Sequence, residues 1–445
     1  MKSVSVAIFA AALLETSAVA QEHSHILTNA IAITPSYIAM LTAEALTNAP
    51  VLRAASARAD AAEHGAQAVR VWEDPTLKLG VLTASPRGFR ESEEGNLLYG
   101  LEQKLPLWGK AKLARVAAEA GADVGRLNAE LQFQQLRRDV TRNLFQAALA
   151  DRVVETGERD LELLDTFAAI AEQRYRANQG SQVDVLRVQN ERAKRAVQLQ
   201  TERSRREHSH VTLNRLLGRA SHTPWPLLVL PPPAKPIVFD ERLLALALRG
   251  EPRLKVMRQE VKQAEATAAV TRRQRLPDIA LGIEGRQYSA DAGFREGLFA
   301  VSLNLPWFNR ERYRSDRQRD EARTRAARED AADFELGLRQ ELHHLTVEID
   351  AARREALLYR DEFIPRSDQA LASAQAAWAS GRGMFNDVME ARRMLLEGRL
   401  MYDRAVAERQ QSLAELALLC GLDDFNALAI GEVNNQPVPT PATKP

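Results

Sequence analysis

Histidines, cysteines and paired acids are the side chains that could hold a metal ion or carry catalysis, and this sequence offers few of them. The one cysteine, Cys420, excludes an internal disulfide and a zinc site built on several thiolates. His208 and His210 lie two residues apart, so on a helix their rings would point to different faces. We interpret the histidines as surface residues, with His23 and His25 as weak candidates for a loosely bound metal ion.

The sequence also lacks the patterns of an enzyme. It contains no phosphate-binding loop, no nucleophile motif and no convergent pair of acids, so we expect neither catalysis nor a cofactor. Lys and Arg total 60 against 59 Asp and Glu, which gives a net charge of +1. A nucleic-acid-binding protein normally has a basic face, so this balance argues against that partner.

The first 20 residues, "MKSVSVAIFAAALLETSAVA", have a lysine, an apolar stretch and a small-residue end. This order predicts a secretory signal peptide at 1–20, followed by an N-terminal extension at 21–37. The alternative is an ordinary buried helix. No cysteine lies near the expected cleavage site, and we find no apolar run of about 18 residues that would predict a membrane-spanning helix.

Landmark residues recur after about 200 positions. Pro50 matches Pro252 and Gly218 matches Gly421, each within a similar local sequence. Such a repeat indicates two copies of one structural unit. We therefore expect repeats at 38–218 and 240–421, a proline-rich extended connector at 219–239 and a disordered tail at 422–445.

The residue pattern within each repeat predicts a helix, two strands, a long helix, a turn and a further helix. Leu77, Leu79 and Val81 alternate with less apolar residues, as in a strand with one apolar face. A hairpin packed on a soluble core would give the same alternation. The predicted strands are about 75–86 and 96–108 in the first repeat, and about 277–290 and 296–308 in the second.

The helices are longer than a compact domain needs. Residues 111–177 contain no proline and have a narrow apolar seam, which predicts a coiled-coil helix of about 100 Å. The matching stretch at 312–380 contains Pro365, where we expect a kink or break. Single helices are expected before the strands, at 37–71 and 240–275. Turns follow near Gly180 and Gly383, where glycine can adopt the positive φ that ends a helix.

The strand count indicates assembly. Four strands per chain are too few to close a barrel, which needs about eight, so several chains must share one. The fold class is mixed α+β and mostly α, a long antiparallel helical bundle with strands that contribute to a shared transmembrane barrel. Trp108, Trp307 and Phe308 lie at the strand-to-helix junctions, where membrane-interface aromatics are expected. Core packing is the alternative for these aromatics.

The chain resembles the TolC-type outer-membrane efflux proteins over almost its whole predicted mature length. The resemblance rests on the duplicated unit, on "LPLWGK" and "LPWFNR" before the long helices, and on "YRANQGSQVDVLRVQNERA" and "WASGRGMFNDVMEARRMLL" at the turns. It implies a homotrimer with twelve strands in an outer-membrane barrel and helices in the periplasm. It also implies an exit duct, rather than an enzyme, that works with a periplasmic adaptor and an inner-membrane pump.

The resemblance gives roles to five residues near the turns. Asp387 and Glu390 are three apart and would ring the periplasmic gate of a trimer, although Glu390 is longer than the aspartate familiar there. Asp184 lies beside the other turn and would pair across helices in the closed state. Gly180 and Gly383 mark the turns that would meet the adaptor. The alternative for the acids is solvated helix surface.

Two other functions stay open at this point. A periplasmic coiled-coil adaptor or scaffold would also have long helices, but it would not need a duplicated strand pair. A type I secretion exit duct would have the same shape as an efflux duct. The sequence does not decide among drugs, metal cations and proteins as cargo.

Overall fold

The computed structural model describes residues 30–82, 96–233, 236–237, 239–288 and 294–422. The predicted signal peptide, His23, His25 and the tail from residue 423 lie outside these residues. The chain forms two compact units. One contains the described parts of Met1–Arg53, Phe133–Gly250 and Leu338–Pro445, and the other Ala54–Gln132 and Glu251–Gly337. Each unit therefore takes segments from both halves of the sequence.

Helices make up most of the described chain. In chain order they are α1 (Pro35–Asn48), α2 (Pro50–Ala68), α3 (Lys110–Arg176), α4 (Gln182–Leu217), α5 (Glu241–Gly250), α6 (Pro252–Gln274), α7 (Arg310–Leu358), α8 (Ile364–Ala379) and α9 (Phe385–Cys420). The strands are β1 (Ala30–Ala32), β2 (Thr76–Leu82), β3 (Asn96–Lys104), β4 (Leu227–Val229), β5 (Ile279–Tyr288) and β6 (Phe294–Leu303). Within the described ranges, no helix is both long and apolar enough to cross a membrane.

The expectation of one helix before each strand pair is wrong. Pro50 begins α2 directly after Ala49, whose ψ of 120° is extended. Pro252 likewise begins α6, and the Glu251 carboxylate accepts a hydrogen bond from the Leu254 N–H at 2.6 Å. Proline has no N–H to continue an existing helix but suits the first turn of a new one. Both predicted helices are therefore divided at their proline.

The long helix of the second half is interrupted just before Pro365. Helix α7 ends at Leu358, a π-helical turn covers Tyr359–Phe363, and α8 begins at Ile364. Proline cannot donate the hydrogen bond that a continuous α-helix needs at that position. The wider π turn absorbs the missing donor one turn earlier, so the predicted break is a change of helix type.

In the first unit, the N-terminal residues and the proline-rich connector form a small parallel sheet. Strand β1 pairs with β4, with Ile31 opposite Leu228. The Leu228 N–H donates to the carboxylate of the buried Asp151 at 3.1 Å. Three-residue strands have no measurable alternation, so the sequence did not predict them.

In the second unit, β2, β3, β5 and β6 form an antiparallel sheet in that order. The buried carboxylate of Asp320 links two helices of this unit, because the hydroxyl of Thr271 in α6 donates to Asp320 in α7 at 2.7 Å. The neighbouring Arg319 guanidinium, with help from Thr271, lowers the pKa of Asp320 to about 2. The strands stop at Lys104 and Leu303, before the two prolines, because proline withholds the N–H that a ladder needs. The predicted strands extended too far in that direction.

Candidate channel-forming surfaces

One face of the four-stranded sheet is apolar and exposed. The register places Leu79 opposite Tyr99, Leu101 opposite Ile283, and Ile283 opposite Phe299, so these side chains share one face. The large exposed side chains of this face are Leu77, Leu79, Val81, Leu97, Tyr99, Leu101, Ile283, Phe294, Phe299, Val301 and Leu303. Such a continuous apolar surface requires a nonaqueous partner.

The opposite face of the sheet is mostly polar. The Lys78 ammonium group contacts the carboxylate of Glu102 and lies 3.3 Å from that of Glu284, two strands away. Gly100 lies between Lys78 and Glu284 in the register and leaves the path open. A Cβ at Gly100 would lie 2.7 Å from the Glu284 Cγ. Leu98 and Leu298 are large apolar exceptions on this face.

Both outer edges of this sheet are open. Strands β2 and β6 each pair on one side only among the described residues. An open edge exposes unpaired N–H and C=O groups to another strand. The strands have 7 to 10 residues, close to the 9–11 that cross a bilayer when tilted.

The first strand-to-helix junction is fastened to the second half of the sequence. The Trp108 indole N–H donates to the Pro277 carbonyl at 2.8 Å, and Trp108 has a φ of 61°. The Lys110 ammonium group lies 2.7 Å from the Asp278 carboxylate. The Leu105 N–H continues the ladder to the Ile279 carbonyl at 2.9 Å.

The second junction presents its aromatic rings to the surface. Pro306 is buried, whereas Trp307 is exposed and Phe308 is 78% exposed. Trp108 at the first junction is exposed as well. The three predicted interface aromatics are therefore not packed in a core of this chain.

In the turn between α3 and α4, the residue with positive φ is an asparagine and not a glycine. Asn178 has a φ of 56°, and the Gln179 N–H closes the turn on the Arg174 carbonyl at 2.8 Å. Asparagine tolerates this conformation better than most residues. The expectation that Gly180 supplies the positive φ is wrong. Gly180 is needed for space, because a Cβ there would lie 3.1 Å from the Cβ of Arg174.

The turn between α8 and α9 follows the same division of roles. Gly381 has a φ of 75°, so the expectation for Gly383 is also wrong. A Cβ at Gly383 would lie 2.8 Å from the Cβ of Ala377. The Gly383 N–H donates to the Ala377 carbonyl at 3.0 Å, which closes the turn tightly.

The three predicted gate acids lie in the first turns of α4 and α9. Asp387 and Glu390 are exposed on α9, and Asp184 is half-buried on α4. The Asp387 carboxylate accepts the Met384 N–H at 3.4 Å, and Glu390 lies 4.0 Å from Arg393. Asp184 makes no ion pair with any described residue of its own chain.

The two turns are joined within the chain. Arg174 of α3 donates to the carbonyls of Trp378 and Ala379 at the end of α8. Its guanidinium also lies 5.2 Å from the centre of the Trp378 ring. The rings of Trp378 and Phe385 lie 4.9 Å apart at a tilt of 49°, in an apolar cluster that includes residues of α3, α4, α8 and α9. The helix ends near both turns are therefore held as one packed body.

Next to this cluster along the helices lies a network of buried ion pairs, which the sequence analysis did not predict. Arg392 of α9 donates to both oxygens of Asp160 of α3, at 2.7 and 2.8 Å. Arg195 of α4 lies 3.4 Å from Asp160 and bonds to Glu202 with both terminal nitrogens. Gly157 makes room for it, because a Cβ there would overlap the Arg195 guanidinium. These residues are far apart in sequence, and charged residues abound, so no sequence signal singled them out.

The histidines occupy separate places. His210 lies 3.5 Å from Asp151, His344 lies 3.2 Å from Glu348, and His343 packs on Phe239. Across the described ranges, no group of three or more His, Cys, Asp or Glu side chains could hold a metal ion.

The family described as "Outer membrane efflux protein" matches residues 41–219 and 243–422. The cobalt-zinc-cadmium resistance protein CzcC of Cupriavidus metallidurans is 23% identical over 377 residues, which are 83% of this chain and 86% of CzcC.

Solved channels have the same fold at low identity. The outer membrane protein VceC of Vibrio cholerae has a TM-score of 0.73 and 18% identity, and the match covers 87% of this chain and 96% of VceC. CusC, described in terms of transmembrane channel formation, has a TM-score of 0.75 and 16% identity, with 86% of this chain and 92% of CusC covered. The resemblance predicted from the junction and turn sequences is confirmed, and the chain belongs to the outer membrane efflux protein family.

Proposed function

We propose that three copies of this chain form an outer-membrane exit duct with a twelve-stranded barrel. The observation that supports it most directly is the four-stranded sheet, which has one apolar face and two open edges. Two copies would give eight strands, an interior that side chains fill. Three copies give a wider barrel, whose closure pairs β6 of one copy with β2 of the next.

The faces of the sheet suggest its orientation in this barrel. The face with Leu79, Ile283 and Phe299 would contact lipid, because charged or polar groups there would lose their hydration. The face with Lys78, Glu102 and Glu284 would line a wet lumen. Trp108, Trp307 and Phe308 would then lie where the strands leave the hydrocarbon.

The gate of the duct would lie at the turns. Three copies of Asp387 and Glu390 around an axis would concentrate up to six negative charges, which repel one another unless cations or neighbouring helices hold them. Their exposure, and the lack of a described ion-pair partner for Asp387, leave them available to cations. Asp184 would contribute from the neighbouring turn.

The turns also suggest the partners. The segments around Gly180 and Gly383 are exposed, tightly closed and rigidly joined through Arg174, which suits a docking tip for a periplasmic adaptor. An inner-membrane pump would complete the system and supply the energy, because the family consists of channels rather than enzymes.

An internal duplication would explain the paired architecture. Two matches to one family, at 41–219 and 243–422, support it. So do two similar glycine contacts. A Cβ at Gly218 would lie 2.6 Å from the Asn48 carbonyl, and one at Gly421 would lie 2.3 Å from the Gly250 carbonyl.

We infer divalent metal cations as the cargo class. The support is the similarity to CzcC, whose name states cobalt, zinc and cadmium resistance. Deletion of the gene should sensitise cells to these cations more than to dyes or antibiotics. Equal sensitisation to both classes would contradict this cargo.

Single-channel recording in planar bilayers tests the duct and its gate. Wild-type protein should insert as a trimer and be blocked by divalent or trivalent cations from the side of the turns. Asp387→Ala/Glu390→Ala should lose this block with equal or higher conductance. Glu207→Ala is the matched control, since Glu207 is an exposed acid of α4 away from the turn.

Two results would contradict the proposal. A monodisperse monomer in detergent that keeps its strand signal would rule out the shared barrel. Unchanged cation block in the double variant would make Asp387 and Glu390 ordinary surface acids.

A further inference from the structure

An open groove of about 540 Å³ lies beside the second strand-to-helix junction. Its walls come from the end of α6, the turn after β6 and the first turns of α7. The side chains that characterise it are Arg275, Trp307, Arg310, Tyr313 and Arg314. The groove thus combines aromatic rings with an excess of positive charge.

Three of these cations have no ion-pair or hydrogen-bond partner among the described residues. No described carboxylate lies within ion-pair distance of Arg275, Arg310 or Arg314, and no hydrogen bond of their guanidinium groups occurs among the described residues. The next arginine along the wall differs, because Arg317 lies 2.9 Å from Glu321. Unpaired guanidinium groups that line one groove repel one another, so the groove suits an anion.

The first junction shows how this chain neutralises such cations elsewhere. Lys104 lies 2.7 Å from Glu73, and Lys110 lies 2.7 Å from Asp278. Trp108 there donates its indole N–H to the protein, whereas no hydrogen bond of the Trp307 indole occurs in the described chain. The two junctions are similar in sequence, but only the second leaves arginines and its tryptophan N–H without a protein partner in the described chain.

The position of the arginines also has a stability cost. Arg310 and Arg314 lie in the first turns of α7, where the helix dipole disfavours positive charge. Only Glu311 offsets them within the first turn. An anion held between the arginines would remove this repulsion.

The shape of the neighbouring surface indicates the class of anion. Leu303, on the apolar face of the sheet, and Leu305 come just before the groove residues Pro306 and Trp307 in the chain, and both are exposed. An anion with an attached hydrocarbon chain would contact both surfaces at once. Arginine suits a phosphate because its planar fork can donate two parallel hydrogen bonds.

We propose that this groove binds the phosphate headgroup of an anionic glycerophospholipid of the inner leaflet, with its acyl chains along the apolar face of the sheet. The proposal rests on the membrane barrel described under Proposed function. Arg275, Arg310 and Arg314 hold the phosphodiester, and Trp307 and Tyr313 border the glycerol region. The lipid would fix the depth at which the barrel lies in the membrane.

Tryptophan fluorescence in vesicles tests this proposal. Wild-type protein is reconstituted in phosphatidylcholine, and a brominated lipid is titrated in as a contact quencher, either phosphatidylglycerol or phosphatidylcholine. The signal of Trp307 is obtained by difference from a Trp307→Phe variant. Brominated phosphatidylglycerol should associate more strongly than brominated phosphatidylcholine, by roughly fivefold for each arginine engaged.

The variants separate a specific site from general charge. Arg275→Gln/Arg310→Gln/Arg314→Gln should bring the ratio of the two association constants close to one. The matched control removes three other exposed cations of the same unit that also lack ion pairs, and it should keep the wild-type ratio. It is Arg58→Gln/Lys262→Gln/Arg325→Gln.

Several outcomes would overturn the proposal. One is a wild-type ratio near one, and another is an unchanged ratio in the groove variant. Competition by soluble glycerol 3-phosphate as strong as that of the lipid would show that acyl chains play no part. A groove variant whose trimer dissociates more readily, with no change in lipid ratio, would assign the groove to contact between copies.

The same preparations distinguish this proposal from the proposed function. Channel conductance is recorded in pure phosphatidylcholine bilayers. Conducting trimers with no lipid preference would refute only the lipid site. Failure of wild-type protein to form trimers or channels would refute the duct itself.

Discussion

Charge substitutions in the middle of β6 test the proposal that the apolar face of the sheet contacts lipid. Leu298 and Phe299 are neighbours, both large and apolar, and 58% and 65% exposed. The register places Phe299 opposite Ile283 on the apolar face and Leu298 opposite Glu284 on the polar face. Phe299→Arg and Leu298→Arg therefore add the same charge at nearly the same depth, on opposite faces.

The expected magnitudes differ strongly. An arginine on the lipid face near the bilayer midplane costs about 2–4 kcal/mol. At position 298 the new arginine would face the lumen and Glu284, a cross-strand pair of opposite charge worth roughly 0.2–1 kcal/mol. The two variants should therefore differ by at least about 2 kcal/mol per chain, or roughly 30-fold in the equilibrium constant for folding. A trimer contains three copies of this difference.

The assay is the free energy of unfolding in phosphatidylcholine vesicles, with the dissociation temperature of the trimer on gels as a second measure. Phe299→Arg should destabilise both, and Leu298→Arg should stay close to wild type. Equal losses in the two variants, or tolerance of Phe299→Arg, would refute the assignment of the apolar face to lipid. A larger loss for Leu298→Arg would reverse the two faces.

Three further expectations concern buried groups. Arg392→Ala should lower the free energy of unfolding by about 3–5 kcal/mol in denaturant melts, because it leaves buried Asp160 without its main partner. The control Arg393→Ala changes an exposed neighbour and should cost less than about 1 kcal/mol. Similar losses in the two variants would show that the buried network has no special role in stability. The adjacent arginine lowers the pKa of Asp320 from 3.8 to about 2, so the ionised carboxylate should stabilise the fold by about 1 kcal/mol above pH 4, after solvent screening. This stabilisation should be lost as the pH falls through 2. An Asp320→Asn variant with the same acid-induced drop in unfolding free energy would contradict the prediction. Burial raises the pKa of the Cys420 thiol to about 12, so maleimide at pH 8 should label the unfolded chain but not the native chain. Mass spectrometry measures the labelling. Rapid labelling of the native chain would show instead that this end of α9 opens readily.

Several features followed from local patterns in the sequence. The absence of proline between residues 111 and 177 predicts one long helix, and α3 runs without interruption over Lys110–Arg176. The Leu-Pro pairs at both junctions end the strands because proline cannot join a ladder. The same property of proline divides the helices at Pro50 and Pro252, which the helix prediction did not take into account.

Other features had no local signal. Asn178 and Gly381 supply the positive φ of the turns, while Gly180 and Gly383 are kept for close contact. The sequence places suitable residues at each turn but does not say which one takes the unusual conformation. That choice depends on where the following helix packs, and so does the short β1–β4 pairing.

The sequence by itself determined that this chain has long helices, strands that end at proline and an outer-membrane efflux family identity, because these depend on residue type and spacing. Only the tertiary structure decided which residues share a surface. Leu298 and Phe299 are both apolar, yet strand register separates them onto different faces. Asp160 and Arg392 become partners only when α3 and α9 pack. Arg275, Arg310 and Arg314 have no carboxylate within ion-pair distance among the described residues, although Glu321 lines the same groove. The physical reason is that pairing and burial depend on distances between segments far apart in the sequence, which spacing along the chain does not encode.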